Sequence, residues 1–167
     1  LSLLPLNAIM PEPVPSFTVQ SAVDAPELSR QQLRAWALKA VQAANQDCPD
    51  AFQRAELTLR LVNTAEGRSL NASYRDKDYA TNVLTFEYGV DPEGTARGDI
   101  ILCLDVLKKE AEEQGKPFKH HAAHLVIHGT LHALGYDHLN HDEAEHMEAM
   151  EVAILTRLHI ENPYLER

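Results

Sequence analysis

HGTLHALGYDH, from His128 to His138, is the stretch on which the reading of this chain turns; its form is H-x-x-x-H-x-x-G-x-x-H. His128 and His132 are four residues apart, so on a helix they share a face, one turn above the other. Gly135 falls where a C′ glycine takes a left-handed conformation and turns the chain. Such a turn brings His138 back toward the first two. Three neutral imidazoles with one open position is the ligand count of a catalytic zinc site rather than a closed structural one. All nine histidines lie between His120 and His159, which concentrates ligand chemistry around this segment.

The spacing matches the long zincin motif H-E-x-x-H-x-x-G-x-x-H, in which the Glu after the first His is the general base. Here that position is Gly129. A protease built this way lacks the group that deprotonates its water. Either another residue does that work or the chemistry differs.

A length of 167 residues suits one domain with a real core. Hydrophobic residues at 44% and charged ones at 24% are ordinary for a globular protein. Cys48 and Cys103 are the only cysteines, with no C-x-x-C, which argues against a disulfide scaffold or a cysteine zinc site and fits a reducing cytosol. The net charge of −10 argues against a nucleic-acid enzyme. Its distribution softens that objection. Eight acids face two arginines from Asp137 onward, whereas residues 54–119 hold ten Lys/Arg against twelve acids. A local basic groove is compatible with this balance. The start at Leu1 rather than Met reads as a partial or trimmed chain. LSLLPLNAIM has no basic n-region and is broken by Pro5, so it makes a poor signal peptide, and no stretch approaches transmembrane length.

Residues 1–16, with four prolines, read as an extended and disordered arm, and 17–167 as a single metal-dependent hydrolase domain. FTVQSA (17–22) is a strand candidate. Ser29 and Gln32 form a capping box before a helix over 30–46, whose stripe includes Leu33, Trp36 and Val41. AELTLRLVN (55–63) alternates as a half-buried strand. Thr64 is expected to cap a short helix through about Tyr74. YRDKDYATNVLTFEY (74–88) begins as a polar loop and becomes a strand near Asn82, followed by a turn at DPEG (91–94). GDIILCL (98–104) is an apolar run suited to a central strand. Asp105 is expected to cap a helix to about Gln114. The ligand-bearing helix follows over 117–134, and a last one over 142–158 turns Met147, Met150, Val152, Ile154 and Leu158 inward. These elements predict an α+β (mixed α/β) fold, a small central sheet covered by helices.

NASYRDKDYATNVLTFEY (71–88), GDIILC (98–103) and HGTLHALGYDH (128–138), in this order along the chain, resemble the YbeY family of bacterial metal-dependent endoribonucleases linked to ribosomal RNA maturation. The resemblance spans about Phe17 to Tyr164. It implies a single-strand-specific RNA-cleaving hydrolase acting on the 3′ end of 16S ribosomal RNA and in ribosome quality control. It implies metal binding by His128, His132 and His138, and a functional arginine at Arg75. The implied partners are single-stranded RNA and the small ribosomal subunit, in the cytoplasm, with no membrane and no DNA. The implied cofactor is one divalent ion, with zinc the default, although imidazole suits nickel, copper and iron alike.

The residue chemistry agrees. Zinc held by three imidazoles acidifies water and polarises a phosphoryl oxygen. The arginine fork matches the charge that builds on a phosphodiester. The base is left open between Asp137, which reads rather as a turn cap or a carboxylate orienting a ligand, a flanking histidine such as His124, and the phosphate itself. His121 and His124 are read as orienting groups, substrate contacts or a solvated face. Two rivals stand beside this reading. One is a zincin-type protease. The other is a non-catalytic ribosome-assembly factor with a structural metal, which a fourth protein ligand such as His141 or Asp142 would favour.

Overall fold

The computed structural model describes residues 15–77 and 79–165. In chain order the elements are β1 (Pro15–Ser21), α1 (Arg30–Asp47), β2 (Arg54–Val62), α2 (Thr64–Arg75), β3 (Val83–Val90), β4 (Thr95–Cys103), α3 (Leu104–Glu113), α4 (Phe118–Ala133) and α5 (His141–Arg157). The strands form one sheet in the order β1-β2-β4-β3. β1 runs parallel to β2 and β2 to β4, while β3 returns antiparallel along β4. This is the α+β arrangement expected, with GDIILC on an interior strand. Most of the proline arm, residues 1–14, lies outside the described residues; Pro15 and Ser16 belong to β1, which therefore starts two residues before the expected strand.

The alternation in β2 is borne out. Ala55, Leu57, Leu59 and Leu61 are buried, while Arg54 and Glu56 are exposed. Each fully enclosed leucine contributes about 1.5–3 kcal/mol relative to an exposed one. Trp36 is a core residue at 5% exposure, packed with Leu33, Ala37, Ala40 and Val41 of the α1 stripe. Ser29 caps α1, its side chain accepting from the Gln32 amide at 3.0 Å.

Two other caps differ from expectation. Asn63, not Thr64, caps α2, accepting from Glu66 N at 2.9 Å. Asp105 does not cap its own helix: α3 starts at Leu104 after Cys103, with no side-chain cap. The Asp105 carboxylate instead accepts from the Thr64 amide and hydroxyl, at 3.2 and 3.0 Å. Residues 63, 64 and 105 are all good cap formers, and only tertiary contact decides which helix each serves.

α4 is the element around which the others pack. It touches β3, β4, α1, α3 and α5, and ten of its residues are buried. Its approach to the sheet is unusually close. A Cβ on Gly129 would lie 2.8 Å from Ile100 Cγ2 and 3.2 Å from Val83 Cγ2. A Cβ on Gly98 would lie 2.8 Å from Ala133 Cβ and 3.0 Å from the Phe86 carbonyl oxygen. Gly129 and Ala133 are one turn apart, and Gly98 and Ile100 share a strand face. Helix and strand thus meet through a matched pair of small residues. Cys103, of opposite parity in β4, meets Gly67 of α2 at the other face.

Gly129→Ala should therefore destabilise the fold. Overpacking costs about 1–3 kcal/mol, against a helix-propensity gain of about 1 kcal/mol. Gly129→Glu should cost more than about 4 kcal/mol, because it also buries an unpaired carboxylate. Urea unfolding gives the answer as a lowered midpoint at constant slope. An alanine variant more stable than wild type would mean that the helix lifts off the strand at no cost.

Candidate metal centre

His128 and His132 project from α4 on one face, with ring centroids 6.3 Å apart. Gly135 has φ of 107°, a conformation that disfavours a side chain, and a Cβ there would meet Glu87 Oε2 at 2.8 Å. The chain reverses at this point. The following residue, Tyr136, donates from its hydroxyl to Asp47 Oδ2 at 2.5 Å, at the end of α1. His146 Nε2 of α5 lies 3.0 Å from the same oxygen. His146 and Tyr136 hold the Asp47 carboxyl below its usual range, in that order of effect. Burial, followed by Asp47, pushes the Tyr136 phenol upward. The turn is thereby tied to two helices.

The tether returns His138 to the helix. Its ring stacks on His128 with centroids 5.9 Å apart and an interplanar angle of 23°, and it lies 5.8 Å from His132. The three rings form a triangle with sides of 5.8–6.3 Å. With Zn–N bonds of about 2.0–2.1 Å, imidazole centroids around one ion sit roughly 5 Å apart. The triangle is about an ångström wider than that, and its donor set suits a borderline metal. Asp137 joins His132 and His138, with potential ligand atoms of all three within 4.8 Å of one another. The Asp137 carboxylate also accepts from the His138 amide at 2.7 Å, so it caps the turn.

By the same ligand-atom spacing His128 falls in a separate group, with His124 and Glu151, rather than with His132 and His138. Glu151 is 0% exposed. Its Oε1 accepts from the Tyr164 hydroxyl at 2.7 Å and lies 2.8 Å from His124 Nε2. Its Oε2 lies 3.2 Å from His128 Nδ1. Burial pushes this carboxyl up, but hydrogen bonds from His124, His128 and Tyr164 outweigh it and bring it down to about 2. Sequence reading missed Glu151. The signal was present: it falls one turn after Met147 and three residues before Ile154, an acid on the apolar stripe of α5. Val152, expected inside, is half-exposed instead.

The flanking histidines are not a solvated face. His124 pairs with Glu151, and His121 is buried, with Nε2 2.9 Å from Glu110 Oε1. Burial lowers the His121 pKa. Glu110 in turn accepts from Asn82 Nδ2 at 3.1 Å, at the start of β3. His121 therefore braces α4 against α3 and β3 rather than serving the ring triangle. His141 lies on the surface beside Glu145 at 3.6 Å. Neither His141 nor Asp142 belongs to either ligand group.

Arg75 was expected in a polar loop; it is the last residue of α2. Asn71, Tyr74 and Arg75 continue the helix because Asp76 takes a left-handed conformation with φ of 56° and ends it there. Arg75 Nη2 donates to the Thr85 carbonyl at 2.6 Å, and its guanidinium stands 5.8 Å from the Phe86 ring centre. Tyr74 packs edge-on against the same ring. Strand β3 is thus shared: Thr85 holds Arg75, and Glu87, two residues on, reaches Gly135 in the histidine turn.

The family model for Endoribonuclease YbeY matches residues 18–159. A curated Endoribonuclease YbeY of Bordetella avium is 59% identical over 154 residues, covering 92% of this chain and 96% of the relative. That of Bordetella pertussis is 55% identical over 150 residues, covering 90% and 96%. A solution structure of a Thermotoga maritima protein superposes with a TM-score of 0.56 at 20% identity, over 90% of this chain and 99% of that one. That similarity concerns the fold. The family match and the identities to the Bordetella proteins decide the assignment: the chain belongs to the YbeY family.

Proposed function

We propose that this protein is a metal-dependent, single-strand-specific endoribonuclease. Its place is the maturation of the 3′ end of 16S ribosomal RNA and ribosome quality control, with the small subunit as partner, in the cytoplasm. The observation that carries the reading is the ring triangle of His128, His132 and His138 in a family whose curated relatives are named endoribonucleases. These three histidines are the proposed ligands of one divalent ion, with zinc as the default. The ion would supply Lewis acidity toward a phosphoryl oxygen and make water more acidic.

The chain's own groups do the rest. Arg75 spends Nη2 on the Thr85 carbonyl, which fixes its fork. Its remaining donors are proposed to meet the non-bridging oxygens as negative charge builds there. Asp137 places a carboxylate beside His132 and His138, where it is available to accept a proton. Free thiols at Cys48 and Cys103 suit a reducing compartment. No helix among the described residues is long and apolar enough to cross a membrane.

The rivals are weaker for stated reasons. A zincin needs Glu at 129, and the contact of Gly129 with Ile100 and Val83 leaves no room for it. A structural metal calls for a closed protein shell; His141 pairs with Glu145 on the surface, and Asp137, beside His132 and His138, is the carboxylate near enough to close one.

The test is cleavage of a single-stranded RNA carrying the 16S 3′ end, beside the same sequence as a duplex. Wild type and His132→Ala are purified identically, with and without chelator. Wild type should cut the single strand only, chelator should stop it, and His132→Ala should be inert. Equal cutting by both preparations would mean contamination and would sink the enzymatic reading.

Arg75→Ala should lower kcat by about 10²–10³-fold at unchanged metal content. Arg75→Lys should recover only part of it, because a lysine cannot form the planar fork. Full activity in the alanine variant would remove Arg75 from the chemistry.

A further inference from the structure

An enclosed carboxylate costs several kcal/mol unless its oxygens are hydrogen-bonded. Glu151 is fully enclosed, and its two oxygens are divided between different partners. Oε1 takes Tyr164 Oη at 2.7 Å and His124 Nε2 at 2.8 Å. Oε2 is left for His128 Nδ1 at 3.2 Å. A carboxylate only accepts, so the ring nitrogens facing it must donate. For His128 this means a proton on Nδ1 and a lone pair on Nε2. For His124 it means a proton on Nε2, which leaves Nδ1 as a lone pair. That agrees with His124 Nδ1 being buried without a hydrogen-bond partner, since a stranded acceptor is more tolerable than a stranded N–H.

The Tyr164 hydroxyl stands on the same side. It lies 3.3 Å from His124 Nε2, and burial followed by Glu151 pushes its pKa up, so it keeps its proton and donates. Tyr164 comes from the segment after α5, seven residues beyond the helix end at Arg157. It closes the cluster from the far side of Glu151. Three elements therefore converge on a group that touches one of the three triangle histidines.

We infer that Glu151, clamped by Tyr164 and His124, is a positioning residue that holds His128 as the Nδ1–H tautomer and so presents Nε2 to the metal. The inference rests on the proposed three-histidine site and adds a member that no ligand motif contains. The carboxylate acts through His128; it is not itself a ligand. The partition of its oxygens accounts for the three short contacts to the carboxylate. A carboxylate hydrogen-bonded behind a ligating imidazole fixes ring orientation and raises ligand basicity, and removing such a partner costs about 10–100-fold in metal affinity.

The test has three parts. In metal-free wild type at about pH 8, where imidazole is neutral, nitrogen shifts of the His128 ring report the tautomer. Nδ1–H is expected, and Nε2–H would overturn the inference without any variant. Zinc affinity is then measured by competition with a chromophoric chelator, with the folded fraction checked by circular dichroism. Glu151→Gln, whose amide must point an N–H at a donor, should bind zinc about 10–100-fold more weakly. Tyr164→Phe, which removes only the clamp, should show a smaller loss in the same direction and decides the matter if Glu151→Gln does not fold. Wild-type affinity in both variants, or a second tightly bound zinc that Glu151→Gln abolishes, would refute the positioning role. His128→Ala separates the two levels. If it binds zinc like wild type, the three-histidine reading itself fails; if it loses zinc while Glu151→Gln keeps it, only the present inference fails.

Discussion

The contact on which the rest depends is the close approach of α4 to β4 and β3. Gly129 lies against Ile100 and Val83, and Gly98 lies against Ala133. One glycine on each element removes the side chain that would hold them apart. Packed interiors do not deform smoothly, so this contact sets both the height and the rotation of α4 over the sheet. With Gly129 and Ala133 facing the strands, the residues just before each of them, His128 and His132, are left half-exposed. The glycine that forbids a zincin base is thus the residue that places the ligand face. A packing constraint and a chemical identity rest on one atom's worth of space.

Behind that face the site is held by polar groups with defined partners. Glu110 joins His121 to Asn82, and Glu151 joins His124, His128 and Tyr164. Asp47 joins Tyr136 and His146, which pins the turn carrying His138 to α1 and α5. Each is a carboxylate accepting from donors on other elements, the arrangement that makes the buried Glu151 and the half-buried Glu110 tolerable. The linkages run from α1, α3, α5 and the C-terminal segment toward α4 and its turn. The helices around the sheet therefore act as supports for a few imidazole rings as well as cover for a core.

The fold was largely legible because its strongest signals are periodic. Alternation marked β2, the apolar run marked β4, and the Ser29 cap and its stripe marked α1. The histidine cluster was legible because its spacing is a geometric statement about one helix and one turn. Three features were not. Asn63, Thr64 and Asp105 are cap formers whose assignment depends on contacts 41 residues apart in the chain. Arg75 looked like a loop residue because RDKD is polar, yet α2 runs on until Asp76 turns left-handed. Glu151 was hidden because amphipathic reading counts apolar residues and passes over an acid on their stripe. Such a misfit is informative: an acid at a core position must have partners, and here they are Tyr164, the flanking His124 and one motif histidine, His128.

The central claim is that His128, His132 and His138 hold one ion together. Zinc-edge X-ray absorption on protein loaded with one equivalent of zinc counts the imidazoles directly. Three histidine nitrogens at about 2.0–2.1 Å with a light oxygen donor completing the shell are predicted, falling to two in His138→Ala. A shell with two or fewer imidazoles in wild type, or one unchanged by His138→Ala, would contradict the account.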